Sequence, residues 1–168
     1  MVGLFPVSSS PYDHLPVKYP PLSPKDLDAF LRGRYISQVA TASTDGTPHV
    51  KPVWFTWEGG KVWVITWLKC KTVSNIRQNH RVAVSIDPSE VPVEKFPDMG
   101  CLIHGEAELV PEMKTKIDPA SWHFKIFAKY VGEENCYKPP MSHHLSNPNM
   151  AIGISPTKIL SWDYRSPG

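Results

Sequence analysis

Between Tyr35 and Trp67 the chain sets out three β-type runs joined by two tight turns, and the second and third runs are apolar on both faces. Tyr35–Ser43 is the first run, with Ile36, Val39 and Thr41 among its β-compatible residues. Thr44-Asp45-Gly46-Thr47 is a strong hairpin turn, His49–Trp57 the second run, Glu58-Gly59-Gly60 the next turn, and Lys61–Trp67 the third run. In the second run Val53, Phe55 and Trp57 fall on one side, and Val50 and Trp54 on the other. In the third, Val62 and Val64 oppose Trp63 and Ile65. A sheet that is apolar on both faces has to be covered on both. A small barrel achieves this when its outside packs on a helix or a second subunit.

The remaining pattern supplies such covering elements. Ser23-Pro24-Lys25-Asp26 combines a capping serine, a proline at the first helical position and an acid three residues after the cap. Leu27, Phe30 and Leu31 share a face of that helix, and Gly33 ends it. Thr72–Asn79 reads as a short helix, Val82–Asp87 as a fourth strand and Cys101–Val110 as a fifth, broken at Gly105. Asp118-Pro119 is expected to cap an amphipathic helix from Ala120 to about Val131, closed by Gly132, with Trp122, Ile126, Phe127 and Tyr130 on its stripe. Residues 133–149 read as loop, as does Pro88–Asp98, and Ala151–Trp162 as a last strand interrupted by Pro156.

Composition excludes several classes. The 168 residues make one ordinary domain. With 18 basic against 16 acidic residues the chain lacks the footprint of a nucleic-acid binder. No apolar run is long enough to span a membrane, and the first residues lack the pattern of a secretory signal. Three widely spaced cysteines, Cys70, Cys101 and Cys136, argue against a disulfide framework or structural zinc and for reduced thiols in a cytoplasm. Residues 1–22 form a proline-rich arm ahead of a domain spanning 23–168. The arm reads either as a disordered tail or as a strap on its own domain or a partner, and its apolar Leu4, Phe5, Tyr12, Leu15, Val17 and Tyr19 favour the strap.

The stretch from Thr66 to Val82 carries the chemistry. A strand ends, a lysine-bearing loop follows, and a helix begins. Lys69 and Lys71 stand just before that helix and Thr72 near its cap. Helix N-termini offer unpaired N–H groups and a partial positive charge, so two ammonium groups and a hydroxyl there suit a phosphate. The competing reading is a solvated basic loop. No Walker loop, G-x-G-x-x-G, paired carboxylates or Ser-His-Asp order occurs, which fits an enzyme whose cofactor holds the chemistry.

The ordered pieces Ala40-Thr41, Asp45-Gly46-Thr47-Pro48-His49-Val50, Pro52-Val53-Trp54-Phe55, Thr66 and Lys71 through Val82 resemble the FMN-binding split β-barrel superfamily, which includes pyridoxamine 5'-phosphate oxidase and relatives using FMN or a deazaflavin coenzyme. The resemblance covers residues 25–110, and Gly105-Glu106-Ala107-Glu108 extends it. Lys129-Tyr130-Val131-Gly132 looks like the deazaflavin-using branch. It implies a mainly β fold with flanking helices, a six- or seven-stranded antiparallel split β-barrel of the FMN-binding type. It also implies a homodimer with cofactor at the subunit interface and a flavin-dependent oxidoreductase acting on a small planar substrate.

Carried over by position, Lys71 takes the place of a phosphate ligand, Thr72 replaces a second basic residue, and Lys69 compensates. Thr66 would contact the phosphate or ribityl chain, and Asn75 holds the place of an amide near the cofactor. Lys51, Pro52, Val53 and Trp54 match the strand whose backbone lines the isoalloxazine ring, with Lys51 at its polar edge. The 8-hydroxy-5-deazaflavin coenzyme is the alternative to FMN, and Lys69 favours its acidic tail. The R-x-H that holds substrate in true pyridoxamine phosphate oxidases is missing from Trp162–Gly168, so vitamin B6 is not the expected substrate. A non-catalytic flavin or haem carrier is a further alternative, with His143 or His144 as axial ligand; residue spacing otherwise places no metal site.

Overall fold

The computed structural model describes residues 19–88, 99–113 and 116–165. Most of the proline-rich arm and of the Pro88–Asp98 segment therefore lies outside the described residues. Ser23 caps α1 (Pro24–Leu31), its hydroxyl accepting from the Asp26 N–H at 3.1 Å. The first hairpin is β1 (Ser37–Ala42) and β2 (Pro48–Val53), the second β3 (Phe55–Glu58) and β4 (Lys61–Thr66). After them come α2 (Lys71–Gln78), β5 (Arg81–Ile86) and the long β6 (Met99–Glu112). The chain continues through α3 (Trp122–Val131), α4 (Glu133–Cys136) and α5 (Met141–Leu145) to β7 (Asn149–Asp163). Two short helices thus occupy part of the stretch read from sequence as loop. The cap of α3 is Ser121, whose hydroxyl accepts from Phe124 N–H at 3.1 Å; Asp118 instead accepts from the Ala120 N–H one turn earlier.

All seven strands are antiparallel and form one curled sheet in the order β2-β1-β5-β6-β7-β4-β3. The run read as one strand from His49 to Trp57 is two. Its first half pairs with β1 and its second half with β4, and the chain breaks pairing at Trp54. Strands consecutive in sequence therefore stand at opposite edges of the sheet, and that seam is the split of the barrel.

Both faces are covered, as the two-faced apolar pattern demands. Phe55, Val62 and Val64 fill the main core with Val39, Ile103, Ile152 and Ile154, closed by Leu27, Phe30 and Leu31 of α1 and by Val73 and Ile76 of α2. On the outer face Trp63 and Ile65 pack with Ile126, Trp122 and Tyr130 of α3. The Trp63 and Trp122 rings stack at 3.9 Å, and Lys125 sits 4.5 Å over the Trp122 ring. Gly105 marks a register shift between β6 and β7, where a Cβ would stand 2.6 Å from the Ser155 carbonyl oxygen. Residues 20–22 run beside the end of β7: Asp163 N–H donates to the Pro20 carbonyl at 3.0 Å, and Leu22 N–H to the Ser161 hydroxyl at 3.0 Å.

Candidate functional site

The loop after β4 delivers Lys69 and Lys71 to the start of α2, where the sequence places them. Cys70 is the N-cap, in an extended conformation, and its side chain makes no capping hydrogen bond. The first-turn N–H groups of α2 are thus left without a side-chain acceptor. Lys71, the first residue of the helix, is exposed, and so is Lys69 in the loop. Thr72 is buried at 3% exposure, and among the described residues its hydroxyl has no hydrogen-bond partner. A buried polar group without a partner is costly. An uncapped helix start, two ammonium groups and an orphaned hydroxyl together fit an anionic group such as a phosphate.

A polar chain leads from this start across the barrel. Thr66 Oγ1 lies 3.4 Å from Cys70 Sγ and accepts a 2.9 Å hydrogen bond from Lys51 Nζ. Lys51, Thr66 and the start of α2 are therefore one constellation, although β2 and β4 share no rung. Asn75 is fully buried on the inner side of α2; it donates to Thr41 Oγ1 at 3.0 Å, and its own Oδ1 has no partner. Of the rest of the expected ring-lining strand, Pro52 is exposed and the Val53 carbonyl accepts from Ser37 Oγ at 2.9 Å. The Trp54 side chain turns outward to α3, where its indole lies flat on the Tyr130 ring at 4.7 Å and meets Phe127 edge-on at 5.2 Å.

Sequence reading took Asp45 only as a turn residue. In the folded chain the β1–β2 turn reaches α2, and Lys71 acts electrostatically on Asp45. The Asp45 carboxyl is held down at about 2, chiefly by the Ser43 hydroxyl and the Thr47 N–H, with Lys71 contributing. The turn and the helix are joined by no local spacing rule, so this pairing had no sequence signal.

His144 lies in α5, its ring 6.1 Å from that of Trp67 and 6.3 Å from that of Phe127. His123, on α3, is buried beside Phe127, and burial pushes its pKa down to about 4, with His144 adding to the effect. Among the described residues no three His, Cys, Asp or Glu side chains converge as metal ligands, and no helix is long and apolar enough to cross a membrane. A groove of about 810 Å³ opens at the far end of α2, lined by Arg77, His80, Arg81 and Glu106, and by Lys61 and Glu108, which form a 2.6 Å ion pair. It is distinct from the Lys51–Thr66–Cys70 constellation at the helix start.

A family model described as pyridoxamine 5'-phosphate oxidase matches residues 23–163. The chain belongs to this family. Solved structures repeat its fold. A conserved hypothetical protein of Mycobacterium tuberculosis is 23% identical, with 86% of each chain covered and a TM-score of 0.68. An F420 reductase is 23% identical over 79% of this chain and 94% of its own, with a TM-score of 0.59. The haem storage protein HutZ of Vibrio cholerae is 15% identical over 82% of this chain and 92% of its own, with a TM-score of 0.56. At these identities the likeness shows the shared split-barrel fold. No curated protein matches the chain in sequence. Within the family, the helix start after β4 stands where the sequence motifs predict it.

Proposed function

We propose that this member of the pyridoxamine 5'-phosphate oxidase family is a flavin-dependent oxidoreductase that holds FMN with its phosphate at the start of α2 and acts on a small planar substrate. One observation carries the reading: the orphaned Thr72 hydroxyl in the uncapped first turn of α2, just after Lys69 and Lys71. Lys71 and the first-turn N–H groups bind the phosphate, Thr66 stands beside it, and Lys51 faces the polar edge of the ring from the other end of its bond to Thr66. Bound FMN supplies hydride or electron transfer at its ring, while the chain binds, orients and charges the surroundings.

The cofactor lies at the interface of a homodimer. The outward side of β2 supports this, since Pro48, Val50 and Pro52 are all exposed on an edge strand, with Val50 57% accessible. Lys69 favours a second reading, the 8-hydroxy-5-deazaflavin coenzyme in the same site, because its acidic tail gains from an extra cation. Purified protein is tested by its visible spectrum, by the mass of any compound released on heating, and by titration of the emptied protein with FMN and with the deazaflavin coenzyme. A flavin or deazaflavin supports the site and chooses between the two. Released haem moves the reading to a carrier, and a colourless protein that takes neither coenzyme overturns it.

A further inference from the structure

The seam between β2 and β3 is closed by a helix. Among the described residues both strands are sheet edges, and neither has a strand on its outer side. At Phe55 the two backbone groups facing α3 are nevertheless satisfied. Its N–H donates to the Tyr130 hydroxyl at 3.3 Å, and its carbonyl accepts from Lys129 Nζ at 3.1 Å. The Tyr130 hydroxyl donates in turn to the carbonyl of Tyr35, two residues ahead of β1. Two consecutive side chains of α3 therefore replace a missing strand at Phe55, and one hydroxyl joins the beginnings of β1 and β3 across the split. The Tyr130 ring adds a flat contact on Trp54, the residue at which the chain crosses the seam.

Burial supports the durability of this closure. It pushes the Tyr130 hydroxyl up to about 12, so it keeps the proton it donates, and pushes the Lys129 amine down to about 8. Unpaired backbone groups at a buried seam would otherwise favour fraying. Fraying at Phe55 would pass directly to Lys51–Trp54, because β2 is paired on one side only.

We propose that Tyr130 and Lys129 are positioning residues for the cofactor ring: by pinning Phe55 and Trp54 they fix where the Lys51–Trp54 backbone and the Lys51 ammonium stand. This rests on the cofactor reading given above. The phosphate end of the site is built on α2, and the Lys51–Thr66 bond links it to β2, whereas the helix itself makes none of the seam's bonds. The two ends are therefore separable by mutation.

Tyr130→Phe keeps the ring on Trp54 and deletes the hydroxyl, and Lys129→Met keeps the stem and deletes the amine. In the cofactor-free full chain, amide hydrogen exchange at Val53, Trp54 and Phe55 is expected to rise at least tenfold in Tyr130→Phe, with α2 and β5 unchanged. The full chain is then loaded with FMN, or with the deazaflavin coenzyme if wild type takes that one. The dissociation constant is expected to stay within about threefold of wild type, while the visible circular dichroism of the bound ring falls by half or more. Lys129→Met is expected to move both readings the same way, and it serves as the deciding variant if Tyr130→Phe does not fold. Unchanged ring dichroism in a folded variant, with wild type binding normally, overturns this inference alone. A wild type that binds neither coenzyme overturns the cofactor reading and this inference with it.

Discussion

The Lys51 ammonium donates to the Thr66 hydroxyl at 2.9 Å, tying an edge strand to the end of β4, which lies five places away across the sheet. A cation held in this way is fixed in direction, and the proposed function puts it at the polar edge of the bound FMN ring. There it would stabilise the reduced, anionic ring. Lys51→Met is expected to lower the two-electron reduction potential by tens of millivolts, about 30 mV for each 1.4 kcal/mol of stabilisation lost. Equilibrium titration against a reference dye measures it. An unchanged potential removes Lys51 from the ring edge.

Lys71 opens α2 and is exposed. Lys71→Ala is expected to weaken FMN binding by roughly 1.5–3 kcal/mol, the scale of a charged hydrogen bond, which is about 10- to 100-fold in affinity. Flavin fluorescence titration reads the loss, and wild-type affinity in the variant sinks the phosphate assignment.

The three thiols differ in access. Cys101 and Cys136 are buried, and burial pushes the Cys101 thiol up to about 12. Cys70 is partly accessible at the start of α2. A thiol reagent added to the native chain is expected to modify Cys70 at least tenfold faster than the other two, and FMN is expected to slow that reaction. Peptide mass mapping after timed quenching reports both. Equal rates at all three positions would contradict the burial pattern.

His123 makes the fold sensitive to acid. Asn149 Nδ2 lies 3.1 Å from its Nδ1, an amide donor that matches a neutral ring accepting at that nitrogen. The folded value of about 4 lies below the ordinary 6.5, so the unfolded chain takes up the proton first. Stability from this group is therefore complete above pH 6.5 and is lost as pH falls towards 4, by roughly 2–3 kcal/mol at the end of that window. Urea unfolding across the window tests it in wild type and in His123→Asn, which is expected to show a shallower dependence.

Gly153 lies under the Trp63 indole, and a Cβ there would stand 2.7 Å from the ring. The ring is also held by Trp122 at 3.9 Å, so it cannot simply swing away. Gly153→Ala is expected to cost about 1–3 kcal/mol of stability through overpacking. Denaturant midpoints decide the matter, and an unshifted midpoint would show that the Trp63–Trp122 stack yields easily.

Local chemistry made much of this structure legible. Ser23-Pro24 marked α1, Asp45-Gly46 marked the first hairpin, and the two-faced apolar runs required cover on both sides, which the core and α3 provide. The lysines at the start of α2 were legible for the same reason, since strand, loop and helix are contiguous there. What escaped was non-local. Nothing in the alternation from His49 to Trp57 reveals that its halves pair with different neighbours, because each half keeps the strand period. The α3 stripe announced Tyr130 as an apolar anchor, whereas its hydroxyl bonds join residues 75 and 95 positions away. Asp45 feels the charge of Lys71 for the same kind of reason, through a turn and a helix that are distant in sequence.

β7, the last of the described strands, is the central one for assembly. β7 joins β6 on one side and β4 on the other, and without it the β3–β4 hairpin has no strand linking it to the other four strands. Until β7 is made, the sheet stands in two parts bridged by side chains such as Lys51 and Tyr130 rather than by a strand, with Val62, Val64 and Ile103 lacking their final cover. Productive folding thus waits for β7, and until it is made the exposed pieces are natural clients for a chaperone.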